Sequence, residues 1–249
     1  MRIVCVIPSR YESSRFPGKP LADLCGKPML QHVYERVLRA KTVTEAAVAT
    51  DDRRIFEAVE KFGGRAIMTA ERHRSGTDRI AEAAMALNLE DTDIVVNIQG
   101  DQPIFEPTQI DEVVEPLLAD PSIPMSTLIY RIIREEEISH PNAVKTVFDK
   151  ENFALYFSRA TIPYDRDHIH EVDYYKHHGI YAYRRHFLET FSKLPQSPLE
   201  TLEALEQLRA LEYGYRIKVV VTPYDSVEVD TPAELARVRD IILSGGAWK

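Results

Sequence analysis

The chain is 249 residues long, 44% hydrophobic and acidic, with 31 Lys and Arg against 39 Asp and Glu and a formal net charge of −8. That length allows one or two domains with a sizeable core, and the charge argues against a general nucleic-acid binder, which carries a broad basic face. No apolar run approaches the roughly 20 residues of a membrane span; Cys5 and Cys25 form neither a disulfide framework nor a zinc pattern, so the expectation is a reduced, cytoplasmic protein.

RIVCVI (2–7) reads as a strand, and the loop SRYESSRFPGKP (9–20) follows it. A helix over 29–40 opens after Pro28; AAVAT (46–50) is a strand; 52–62 is a helix with Ile55, Val59 and Phe62 on one face, ended by Gly63 and Gly64. RAIM (65–68) is a strand, 77–86 a helix, and DIVVNIQ (93–99) a continuous apolar strand suited to the centre of a sheet. Strand–helix alternation of this kind predicts an α/β fold of three layers, a mostly parallel or mixed central sheet with helices on both faces. After residue 124 the pattern loosens. MSTLIYRI, AVKTVF and FALYFS read as strands without long helices between them, which suits an antiparallel or mixed extension. Helices over 198–214 and 231–243 flank the strand IKVVV (217–221), and Thr231-Pro-Ala-Glu234 forms a capping box with Pro at the first helical position. No repeat or linker interrupts the chain. It reads as one domain, with a regular half over about 1–124 and an elaboration over about 125–230.

The loops carry the chemistry. Ligands of open α/β sheets bind outside the carboxyl ends of the strands, and the first loop gathers Arg10, Arg15 and Lys19 there, with Gly18 between Pro17 and Lys19. Guanidinium groups match phosphate oxygens in bidentate fashion, so the loop fits a polyphosphate; a solvated basic turn explains the same residues. It is neither a Walker loop nor a dinucleotide fingerprint, because Ser13 and Pro20 occupy the positions the former requires and no G-x-G-x-x-G occurs. Asp51 or Asp52 suits a helix cap. Ser75, Gly76 and Thr77 stand at a helix start, where free N–H groups hold an anion or a base edge. Asp101, in QGDQP after the central strand, is either a turn residue or a metal ligand. Asp230 stands one residue before the last helix cap, a second candidate carboxylate.

RYESSRFPGKPL, VATDD, SGTDR, NIQGDQP, ALYFSRATIPY, HHGIYAY, LEQLRALE and VDTPAEL, in this order and spacing, resemble the 3-deoxy-manno-octulosonate (KDO) cytidylyltransferases from residue 3 to about residue 240. The resemblance implies transfer of CMP from CTP to the anomeric hydroxyl of an acidic eight-carbon sugar, with release of pyrophosphate, in lipopolysaccharide biosynthesis. It implies Mg²⁺ on Asp101 and Asp230. Catalysis would rest on Arg10, Lys19, Asp101 and Asp230. The nucleotide would meet Pro8, Arg10, Arg15, Lys19, Asp51, Ser75, Gly76, Arg79 and Gln99, and the sugar Gln99, Arg159, His177, Glu206 and Gln207. It also implies a homodimer, with no nucleic-acid or membrane partner, and casts about 1–124 as the nucleotide-binding half and about 125–230 as the sugar-binding and dimerisation elaboration. Read without it, Glu206 and Gln207 fit a solvated helix face and His177 a packed imidazole. HIH (168–170) with HH (177–178) raises a transition-metal site, which magnesium chemistry disfavours.

Two positions depart from the family pattern. Gln102 stands where an acid is expected, and Glu228 where Gly is expected. Both flank the metal carboxylates and look more like relatives that use the 8-amino analogue of the sugar, whose ammonium an extra acid such as Glu228 suits. Two rivals share the loop and carboxylates: a cytidylyltransferase for another acidic sugar such as sialic acid, and a non-catalytic nucleotide-binding module.

Overall fold

Alternation along the first strand sets the architecture. In β1 (Ile3–Ser9), Ile3, Cys5 and Ile7 enter one core while Val4 and Val6 enter another on the opposite face. A strand apolar on both sides needs helices on both sides. The computed structural model, which describes residues 1–13, 16–73, 75–167 and 171–244, supplies them. After β1 come a 3₁₀ turn (Lys19–Leu21), a small ribbon of β2 (Asp23–Leu24) and β3 (Lys27–Pro28), α1 (Met29–Val37), β4 (Glu45–Thr50), α2 (Arg53–Lys61), β5 (Ala66–Met68), α3 (Gly76–Ala86) and β6 (Ile94–Asn97). The second half runs α4 (Thr108–Ala119), β7 (Met125–Arg131), α5 (Glu135–Ser139), β8 (Lys145–Phe148), β9 (Ala154–Ser158), β10 (Tyr175–Arg184), α6 (Arg185–Lys193), α7 (Pro198–Glu203), α8 (Gln207–Glu212), β11 (Ile217–Thr222) and α9 (Pro232–Leu243).

The main sheet has the order β11-β7-β10-β6-β1-β4-β5. Its strands run parallel except β10, which is antiparallel to both β6 and β7. One core holds the apolar faces of α1, α2 and α4; the other holds those of α3, α6 and α8. The three-layer α/β reading therefore holds. β7 and β11 extend the main sheet as parallel neighbours, paired from Ile217–Met125 to Thr222–Tyr130. Only the β8–β9 hairpin leaves it, from β10.

Three elements differ from the sequence reading. The helix expected over 198–214 is two helices, because Ala204 takes a left-handed conformation (φ 51°) that ends α7. The segment HHGIYAY belongs to β10, whose register shifts between His177 and Tyr181; Gly179 lies in that shift at φ 69°. A bulge there breaks the alternation that marks a strand. Helix α4 carries Pro116 inside it, a residue that ordinarily argues against a helix interior.

Candidate active site

Along the sheet, β1 is flanked by β4 on one side and by β6 on the other, so the chain order reverses at β1. The crevice beyond the carboxyl ends of β1 and β6 is thus the switch point where such sheets bind ligands. Gly100 lets the two ends meet: a Cβ there would lie 2.6 Å from Ser9 Oγ and 3.2 Å from the Pro8 carbonyl oxygen. The loop after β1 turns at Gly18, whose φ of 71° favours glycine and whose N–H donates to the Tyr11 carbonyl at 2.9 Å. The Tyr11 ring packs where a Gly18 side chain would stand, and the Arg54 guanidinium lies 3.3 Å from the ring centroid. A cavity of about 330 Å³ results, lined by Pro8, Ser9, Arg10, Lys19, Gln99, Asp101 and Asp230.

At its floor the Lys19 ammonium donates to Asp101 Oδ2 at 2.8 Å and to Asp230 Oδ1 at 3.1 Å. Burial works to lower the Lys19 pKa, but the two carboxylates outweigh it and hold the ammonium charged. The spacing of the carboxylates is set by stitching between their loops. Val229 N–H donates to the Asp101 carbonyl at 2.9 Å, and Gln102 Nε2 donates to Glu228 Oε1 at 3.0 Å. The last helix cap contributes as well, since Glu234 accepts from the N–H groups of Asp230 and Thr231. Burial, then repulsion from Asp101, pushes the Glu228 carboxyl up to about 7. The two departures in sequence are therefore one contact: the acid missing at 102 stands at 228, and Gln102 is its partner. The sequence marks both positions but not their pairing; its one signal is that they depart together.

The remaining nucleotide candidates surround this floor. Arg10 reaches the carbonyl oxygens of His73 and Ser75, tying the first loop to the start of α3. Arg15 lies outside the described residues. Ser75 caps α3, its Oγ accepting from Asp78 N at 3.1 Å, and Gly76 faces Pro8 across the crevice. Asp52, not Asp51, caps α2. Asp51 instead meets Arg79 at 2.5 Å. Arg79 is fully buried and also donates to Thr69, so its side chain does not line the cavity; it positions Asp51 and the loop around it.

The sugar candidates do not share one cavity. Gln99 lines the crevice beyond β1 and β6. Glu206 lines a neighbouring cavity with Ser75 and Arg209, and its carboxyl accepts from Thr77 at the first turn of α3. Burial raises the Glu206 pKa against the pull of Thr77, Ser75 and Arg209. Gln207 is buried. Arg159 donates to the carbonyl oxygens of Pro141, Glu203 and Ala204. The His177 ring meets Thr127 Oγ1 at 2.9 Å and packs on Phe157 and Tyr181; burial drives its pKa down to about 3. His178 points elsewhere, towards Asp225 and Tyr130. His168 and His170 lie outside the described residues, and among the described residues no group of three or more His, Cys, Asp or Glu is poised to hold a metal. No helix among them is long and apolar enough to cross a membrane.

Comparison with known proteins accords with this geometry. Residues 4–217 match the family model described as cytidylyltransferase. The chain is 75% identical over 242 residues to the 3-deoxy-manno-octulosonate cytidylyltransferase of Syntrophus aciditrophicus, covering 97% of this chain and 98% of that one. It is 54% identical over 238 residues to the 8-amino-3,8-dideoxy-manno-octulosonate cytidylyltransferase of Shewanella amazonensis, covering 95% and 97%. A solved structure of CMP:2-keto-3-deoxy-manno-octonic acid synthetase complexed with CTP superposes with a TM-score of 0.92 at 45% identity, over 99% of this chain and 100% of that one. The crevice at the switch point, its paired carboxylates and these likenesses lead to one conclusion: the chain belongs to the 3-deoxy-manno-octulosonate cytidylyltransferase family.

Proposed function

We propose that this enzyme transfers CMP from CTP to the anomeric hydroxyl of KDO and releases pyrophosphate. The observation that carries the reading is the Lys19–Asp101–Asp230 cluster at the floor of the β1–β6 crevice. A phosphoryl donor needs its negative charge neutralised and its reacting atoms aligned, with little covalent chemistry from the protein. Arg10 and Lys19 supply positive charge on the side of the triphosphate. The Asp pair fits Mg²⁺, which favours one or two carboxylates completed by substrate phosphates; an ammonium already bridging the two carboxylates supports their suitability for a cation. When bound, the metal would neutralise phosphate charge and acidify the attacking hydroxyl. His177 stays neutral at working pH, so it suits a hydrogen bond to the sugar rather than proton transfer.

KDO is favoured over its 8-amino analogue by the higher identity to the Syntrophus aciditrophicus relative and by Glu228, whose carboxyl is engaged by Gln102. Lipopolysaccharide assembly, a cytoplasmic location and a homodimer belong to the same reading. Leu155 on the outer strand β9 and Leu202 on α7 are exposed at 62% and 81%, which supports an interface there. The testing experiment is pyrophosphate release with CTP and Mg²⁺, run with KDO and the 8-amino sugar in parallel. Turnover that is lost in Asp101→Ala supports the reading, and the ratio of kcat/KM assigns the sugar. No release with either sugar refutes it.

A further inference from the structure

Lys19 and the proposed metal have claims on the same pair of carboxylates. The ammonium holds one oxygen from each carboxylate, at 2.8 and 3.1 Å, and its side chain is only 11% exposed while those of Asp101 and Asp230 are 30% and 31% exposed. A magnesium ion held by Asp101 and Asp230 would need the space between them that the ammonium fills. Ammonium and metal cannot both hold that position. The two states also differ in charge: the carboxylate pair with Lys19 carries one net negative charge, and without it two.

We infer that Lys19 is a tethered placeholder cation, which keeps free divalent ions off the Asp pair until a polyphosphate draws the ammonium away; this rests on the metal reading above. A tethered group competes at an effective concentration set by its stem, which for a short flexible tether is on the order of millimolar. An untethered ion must therefore displace a charge that is always nearby. The ammonium leaves only for another anion, and the anions that fit the crevice are polyphosphates. Lys19 lines the same cavity as Arg10, Ser13 and Gln99, so its four-carbon stem reaches a phosphate chain by rotating about its own bonds. The anion that draws off Lys19 is also the one that supplies the metal's remaining oxygen ligands. Nucleotide and metal binding are then coupled through one side chain, and by linkage each strengthens the other equally.

The test uses Mn²⁺ as the probe on the full chain, free metal being read by electron spin resonance and protein-held metal by water-proton relaxation. Without nucleotide, Lys19→Met is expected to bind one Mn²⁺ about tenfold tighter than wild type, or more, within the ordinary range of coupling between sites. The gain should vanish in Lys19→Met/Asp101→Asn, and Lys19→Arg, which keeps the charge, should resemble wild type. Lys19→Gln and thermal melts of each variant separate a binding effect from misfolding. If Lys19→Met and Lys19→Gln bind Mn²⁺ no tighter than wild type, while wild type with CTP holds Mn²⁺ through Asp101, the placeholder is overturned and the metal reading stands. If Mn²⁺ held in the presence of CTP is indifferent to Asp101→Asn, the metal reading itself fails.

Discussion

Gln102 donates its side-chain amide to the Glu228 carboxyl at 3.0 Å and to the His178 carbonyl oxygen at 3.2 Å. Gln102 is fully buried. The pair joins the two loops that carry Asp101 and Asp230, beside the backbone bond from Val229 to Asp101. A single change at either end should therefore act through the spacing of Asp101 and Asp230. Gln102→Glu would set a buried carboxyl group against that of Glu228 and is expected to destabilise by about 1–3 kcal/mol, the cost of an unmatched buried polar group. The exchange Gln102→Glu/Glu228→Gln restores a donor–acceptor pair and should recover most of the Glu228 part, leaving the His178 bond lost. Urea unfolding of the four species gives the coupling energy; additive effects would show that the contact does not hold the loops.

The carboxylates themselves should act on rate. Asp101→Asn and Asp230→Asn are each expected to lower kcat for pyrophosphate release about a hundredfold or more, as removal of one preorganised electrostatic contact does. Stability should change little, because both side chains are about 30% exposed. Chelation of divalent ions should abolish turnover, and Mg²⁺ should restore it. Activity that survives chelation would contradict the metal assignment.

Arg79 and Asp51 form a pair in which the guanidinium is fully buried and the carboxylate 18% exposed. Removing one partner leaves an uncompensated buried charge, so Asp51→Asn should cost about 3 kcal/mol, the lower end of the range for such pairs. Arg79→Leu/Asp51→Leu should cost less than the sum of the single changes. Chemical denaturation measures this. Equal losses in KM for CTP and in stability would assign Asp51 to the scaffold rather than to the ligand.

His177 has an ordinary pKa near 6.5 in the unfolded chain and one near 3 in the fold. A depressed value means that the neutral form is favoured by folding. Its contribution is complete above pH 6.5 and is lost as pH falls towards 3. Wild type should therefore lose more stability between pH 7 and pH 4 than His177→Asn does. Melting at pH 7, 5.5 and 4 checks the sign. A steeper acid loss in the variant would place another group in control.

Gly18→Ala should raise KM for CTP and cost about 1 kcal/mol or more, since alanine at positive φ is strained and its Cβ would meet the Tyr11 ring at 3.0 Å. Arg54→Met, which removes the stacking on Tyr11, should reproduce part of the KM effect without the backbone strain.

The first half of the fold was legible because each strand and helix there announces itself locally. Val4 and Val6 alternate with Cys5 and Ile7, and Ile55 and Val59 share one helical face ended by Gly63. The second half was less so. The bulge at Gly179, the Pro116 within α4 and the left-handed Ala204 each interrupt the period by which an element is read, and only packing against the main sheet restores them. The site divides in the same way. By itself the sequence determined which residue types stand in the loops after β1 and β6 and before α9, because strand order and loop chemistry are local properties. Tertiary structure decided that Lys19 bridges Asp101 and Asp230, that Gln102 answers Glu228, and that Arg79 turns inward to Asp51. Those contacts join residues 28 to 211 positions apart, and a hydrogen bond of about 3 Å depends on where strands are laid side by side, which no single segment encodes.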